Sequence, residues 1–166
     1  MIPFLKQEKE GGMTQDSIIT QEMRSRIGVE SAPTVYEIEK EPIRRWADAI
    51  GDANPLYHDE AYAKEQGFRS LVAPPGFIAQ YAFPVKVGGP PPRIASPLTR
   101  NLNGGNEYEF FSPVQAGDVL SVTGKLVDLQ ERSGRMGTML IQVVEMTYKN
   151  QRGEIVAKAR FTGISY

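Results

Sequence analysis

The chain has 166 residues, 40% of them apolar and 23% charged, with a formal net charge of −1, no cysteine and one histidine. Without cysteine there can be no disulfide, thiolate nucleophile, zinc–thiolate site or iron–sulfur cluster, and a single histidine excludes a multi-histidine metal site within one chain. The balanced charge argues against a nucleic-acid partner, and no apolar run approaches the roughly 18–20 residues that cross a bilayer.

This length suits one domain with a real core. Residues 1–16 are polar and carry Gly11-Gly12, so they read as a flexible arm ahead of a single domain over 17–166. The start lacks the apolar core of a signal peptide, and a cytoplasmic protein is expected. Thr20 to Ile27 reads as a short helix ending at Gly28. Pro33 to Ile38 is rich in strand formers. Glu41 to Ile50 reads as a helix, with Pro42 in its first turn. Ile43, Trp46, Ala47 and Ile50 recur at i, i+3, i+4 and i+7 and form one apolar face.

Gly51 stops that helix, and Asn54-Pro55 prevents its resumption, because a residue before proline is pushed toward extended geometry. A second helix is predicted from Asp59, a good N-cap, to Gln66, closed by Gly67. Pro74-Pro75-Gly76 marks a tight approach before an apolar helical run from Phe77 to Phe83, and Gly88 to Arg93 reads as a loop. The last third alternates in the manner of strands over Asn106–Ser112, Val119–Leu129, Gly137–Lys149 and Glu154–Ile164. Pro113 to Asp118 is a turn, and 132–135 and 150–153 are hairpin turns. The order of one strand, then helices, then antiparallel strands predicts an α+β domain.

The stretch best suited to acid/base chemistry is Gly51-Asp52-Ala53-Asn54-Pro55-Leu56-Tyr57-His58-Asp59, which holds the only histidine six residues after a carboxylate. Gly-Asp-x-Asn-Pro followed closely by His and Asp resembles the signature of MaoC-like (R)-specific enoyl-thioester hydratases. Ala73-Pro74-Pro75-Gly76-Phe77 and Pro113-Val114 with Gly117-Asp118 extend the likeness over Ser31 to Tyr166, nearest the FAS1-like N-terminal type. The resemblance implies a hotdog fold, with Phe77 to Val85 as the central helix wrapped by an antiparallel sheet. It implies a thioester on coenzyme A or acyl carrier protein, reversible hydration of a 2,3-double bond, and no cofactor or metal beyond the carrier. It also implies a homodimer of hotdogs, or a heterodimer with a second MaoC-like chain, with the acyl tunnel at the interface.

One departure stands out. The hydratase pattern sets the histidine directly after the apolar residue that follows Asn-Pro, whereas here Tyr57 intervenes and His58 comes one position late. Either the loop absorbs the extra residue, or His58 turns away and Tyr57 stands where the imidazole belongs. Some FAS1-like members serve as partners of an active subunit.

On the hydratase reading, Asp52 and His58 are the catalytic pair, bracketing one water and dividing its deprotonation and the proton return between them. Asn54 and Tyr57 are substrate-binding candidates. So are Gly76 and Phe77, whose backbone N–H groups at a helix start suit a developing enolate oxygen. Phe77, Tyr81 and Phe110 are expected to set tunnel width, and Arg93, Arg100 and Lys125 are candidates for the coenzyme A phosphates. Each feature also has a plain structural reading. The Gly-Asp-x-Asn-Pro run serves as a helix stop with an Asx-turn, the aromatic residues as core, and the cations as solvated surface. The first reading is therefore an enzyme, an enoyl-CoA hydratase and equivalently a 3-hydroxyacyl-thioester dehydratase. The rival is a non-catalytic hotdog subunit paired with an active chain, and a hotdog thioesterase, disfavoured by the hydratase-type motif, comes third.

Overall fold

A computed structural model describes residues 17–81, 94–135 and 137–166. The arm over 1–16, the end of the expected central helix and the Gly88–Arg93 loop lie outside the described residues. The elements run α1 (Gln21–Ser25), β1 (Thr34–Glu37), α2 (Lys40–Ile50), α3 (Pro55–His58), α4 (Glu60–Glu65), a 3-10 helix (Pro75–Tyr81), β2 (Asn101–Phe110), β3 (Val119–Gly134), β4 (Gly137–Lys149) and β5 (Ile155–Ser165). The strands form one antiparallel sheet in the order β1-β3-β4-β5-β2. This is the α+β hotdog arrangement expected from the sequence.

The sheet folds as it does because its strands alternate. Leu120, Val122 and Leu126 of β3, Val144, Met146 and Tyr148 of β4, and Ala157, Ala159 and Phe161 of β5 point to one face and are buried there. Ile43 of α2, with Trp46 packed against the cluster, and Phe77 and Ile78 of the 3-10 helix cover that face and close a single main core. Full burial of Phe77 removes about 1.5–3 kcal/mol worth of apolar surface from water. Trp46 meets Phe77 edge to face, with ring centroids 6.3 Å apart.

Helix α2 ends at Gly51, whose φ of 70° is left-handed and strained for any residue with a Cβ. Ile50, expected on the apolar face, is 55% exposed, because the chain peels from the core at this last helical residue. Three other expectations need correction. The described part of the central helix is a 3-10 helix, tightened by its Pro-Pro start. The hairpin placed at 132–135 lies further on, since β3 pairs with β4 as far as Gly134↔Gly137. The chain also re-enters a helix for one turn at Pro55, with Asn54 as its N-cap, which the spacing did not suggest.

The two edges of the sheet differ. Beyond the four residues of β1, the outer side of β3 is covered by the strap at 17–31. Gly28 N donates to Leu126 O (2.8 Å), Ser31 N to Gly124 O (2.8 Å), and Ser17 Oγ and Ile18 N to Glu131 Oε2. On the opposite side, the ten-residue strand β2 has no strand beyond it among the described residues.

Candidate functional site

The Asp52–His58 segment is locked by its own side chains. The Asp52 carboxylate accepts from the Asn54 N–H at 3.0 Å, and the Asn54 side chain accepts from the Leu56 N–H at 3.1 Å. These two bonds fix the turn and start α3 with Pro55 at its first position. Tyr57 and His58 are consecutive on that single turn, so their side chains leave it about 100° apart.

The His58 imidazole folds back on the segment. Its Nε2 lies 2.9 Å from the backbone carbonyl oxygen of Asp52. A carbonyl can only accept, which assigns the ring proton to Nε2. Its Nδ1 faces the Asp48 carboxylate at 3.9 Å, beyond hydrogen-bond range. Arg44 Nε donates to the His58 carbonyl at 3.3 Å. Both ring nitrogens therefore face α2 and the turn that follows it.

Tyr57 points the other way. Its ring lines an apolar cleft of about 380 Å³, within the usual size range of small-ligand pockets. Leu56, Phe68, Val72, Ile78, Phe110 and Val114 share the lining with Ala73-Pro74-Pro75 and Phe111-Ser112-Pro113. No charged side chain lines it among the described residues. Burial, then the negative charge of Asp52, push the Tyr57 phenol above its ordinary pKa, against a hydrogen bond from Asn54 that lowers it. Near neutral pH this phenol is a donor and not a base.

The other candidates divide. Phe110 lines the cleft, whereas Phe77 is fully buried in the core. The Phe77 N–H donates to the Pro74 carbonyl at 2.8 Å and is spent. Gly76 remains as the oxyanion candidate of the two, although a Cβ there would face the Trp46 indole at 3.6 Å, in ordinary contact. Arg100 lies over the Tyr166 ring, and Lys125 pairs with Glu145 at 3.2 Å; neither lines the cleft. Arg93 lies outside the described residues. Among those described, no group of three or more acidic or histidine side chains could hold a metal ion, and no helix is long and apolar enough to cross a membrane.

Sequence reasoning missed Leu56, Phe68, Val72, Ile78 and Val114 as cleft residues. The available signal was the pair of proline runs at 74–75 and 113, each flanked by apolar residues that a rigid wall would present.

The chain is 35% identical over 115 residues to the UPF0336 protein SCO4636 of Streptomyces coelicolor, which covers 67% of this chain and 75% of that one. It is 30% identical over 133 residues to a probable enoyl-CoA hydratase alpha subunit of Thermomonospora curvata, covering 72% of this chain and 42% of the relative. Its fold matches the HadBC (3R-hydroxyacyl-ACP dehydratase) complex of Mycobacterium tuberculosis with a TM-score of 0.67 at 23% identity, over 84% of this chain and 97% of the other. Residues 25–159 match the family described as FAS1-like, dehydratase domain region. With this match over most of its length, the chain belongs to the family of FAS1-like dehydratase domain regions.

Proposed function

We propose that this chain is one subunit of a hotdog hydratase acting reversibly on 2-enoyl and 3-hydroxyacyl thioesters of coenzyme A or acyl carrier protein. It supplies an acyl cleft, and a second MaoC-like chain supplies the working acid/base pair. The observation that carries this reading is the orientation of His58, whose Nε2 is held by the Asp52 carbonyl at 2.9 Å while Tyr57 occupies the cleft.

Hydration needs a base for the attacking water at C3 and a proton for C2. At the cleft of this chain stands a phenol held in its protonated form. The Asp52 carboxylate is engaged by the Asn54 N–H. The imidazole, the group whose ordinary pKa suits the task, faces α2. The apolar lining suits an acyl chain and leaves the charged carrier outside. The edge of β2, which has no strand beyond it among the described residues and ends at the cleft residue Phe110, suits pairing with a second sheet. The T. curvata relative's name speaks of an alpha subunit, and HadBC is a complex.

A second reading keeps the chemistry in this chain, through Asp52 with His58, or with Tyr57 in the imidazole's place. The closeness of the Tyr57 phenol to the Asp52 charge favours it. The deciding experiment follows loss of the conjugated thioester absorbance of crotonyl-CoA and of longer and branched 2-enoyl-CoAs. The chain is tested alone and then with a second MaoC-like chain. The subunit reading expects silence alone and activity on pairing. Activity alone, crippled about a hundredfold or more by Asp52→Asn or His58→Ala, sinks it. Release of free thiol instead identifies a thioesterase.

A further inference from the structure

Two segments wall the cleft, and they are zipped to each other. Ala73 N donates to Val114 O at 2.8 Å and Ala116 N to Leu71 O at 2.9 Å, with Val72 bridged to Gln115 between them. The same ribbon holds the third wall, because Val72 N donates to the carbonyl of Leu56, the neighbour of Tyr57, at 3.0 Å. One end of the ribbon opens as the cleft. The other end closes on Asp118.

Asp118 is buried to 5% side-chain exposure and is saturated with donors. Its Oδ1 accepts from Arg69 Nη2 at 2.5 Å and from Gln151 Nε2 at 3.1 Å, and its Oδ2 from Gln115 N at 2.8 Å. Gln115 returns the link through its side-chain oxygen, which accepts from Arg69 N at 2.7 Å. Gln151 accepts from Val119 N at 3.1 Å. A buried carboxylate with fixed donors on both flanking segments holds them at one separation, and that separation continues along the ribbon into the cleft walls.

We propose that Asp118 and Arg69 are positioning residues that set the spacing of the cleft walls and so its affinity for an acyl chain. This rests on the cleft being the acyl site. Neither side chain lines the cleft, so both act through Leu71-Val72-Ala73 and Val114. A cleft held open in advance binds more tightly than one that must be ordered by its ligand.

The test is binding of butyryl-CoA to the full chain by calorimetry, for wild type, Asp118→Asn, Arg69→Gln and the double variant. Leu140→Ala serves as the control. It weakens the separate cluster of Ile19, Leu129 and Leu140, away from the ribbon. Each single variant is expected to weaken binding about tenfold, and the double no more than either single, because the two residues act as one unit. The control, at matched loss of melting temperature, is expected to keep wild-type affinity. Should Arg69→Gln fail to fold with its buried carboxylate uncompensated, Asp118→Asn alone against the control decides. Wild-type affinity in the variants, or equal weakening in the control, overturns the positioning role while leaving the acyl site standing. A wild type that does not bind butyryl-CoA overturns the acyl-site reading and this proposal with it.

Discussion

The imidazole Nε2 of His58 is bonded to the backbone carbonyl of Asp52 at 2.9 Å, and the carboxylate of the same aspartate is bonded elsewhere, to the Asn54 N–H. The two groups that a hydratase would use together are thus joined through the wrong atom of one of them. The bond pins α3 back onto the end of α2. His58→Ala is therefore expected to cost about 1 kcal/mol in urea unfolding, the usual worth of one such hydrogen bond. Butyryl-CoA affinity should stay unchanged, because His58 is absent from the cleft lining. A loss of affinity without a loss of stability would contradict this arrangement.

Tyr57 occupies the direction from which a ring reaches both the cleft and the Asp52 charge. Tyr57→His puts an imidazole there, with a pKa suited to taking and returning a proton near neutrality. The variant chain alone is expected to hydrate crotonyl-CoA at least about tenfold faster than wild type alone. A folded variant with no gain would mean that more than this ring separates the chain from an active one.

Tyr148 is completely buried, and its hydroxyl meets no hydrogen-bond partner among the described residues. Burial drives its pKa far above the ordinary value, so it stays neutral, yet its polar atom has left water without replacement. Tyr148→Phe keeps the ring and removes that atom. The expected result is a gain of about 1 kcal/mol or more in urea unfolding. A loss of stability would reveal a partner for the hydroxyl.

Glu145 lies on the outer face of the sheet, with 14% of its side chain exposed, between Lys125 and Arg160 at 3.2 Å each. Burial alone would raise its pKa, but the hydrogen bonds and charges of the two cations outweigh it and hold the carboxyl below the ordinary 4.5. A carboxyl depressed in the folded state stabilises above its unfolded pKa, and that stabilisation is lost as pH falls through the folded value. Wild type should therefore exceed Glu145→Gln by roughly 1 kcal/mol near neutral pH. The gap should close in the acid range below 4.5. A gap that persists in acid would mean that packing and not charge is responsible.

Local chemistry made much of the chain legible in advance. The glycine at 51, the cap at Asp59 and the 150–153 turn sit where short-range rules put them. Strand β4 runs over the residues its alternation indicated. The one-turn helix at Pro55 was not legible, since it depends on the Asn54 side chain accepting from Leu56 instead of merely ending α2. The orientation of Tyr57 against His58 was readable only as two alternatives. Contacts that spacing does not show decide between them: the Val72–Leu56 bond and the Asp52 carbonyl that holds the imidazole. The role of Asp118 was hidden for the same reason, because its partners lie up to 49 residues away.

The unequal edges of the sheet limit how the chain can assemble. Among the described residues, one long strand, β2, has an outer edge with no strand beyond it, while the far side offers four residues of β1 and then the irregular backbone of the strap. Two chains that meet through β2 leave no comparable edge for a third. Growth by strand addition then closes at a pair and cannot run on as a fibre.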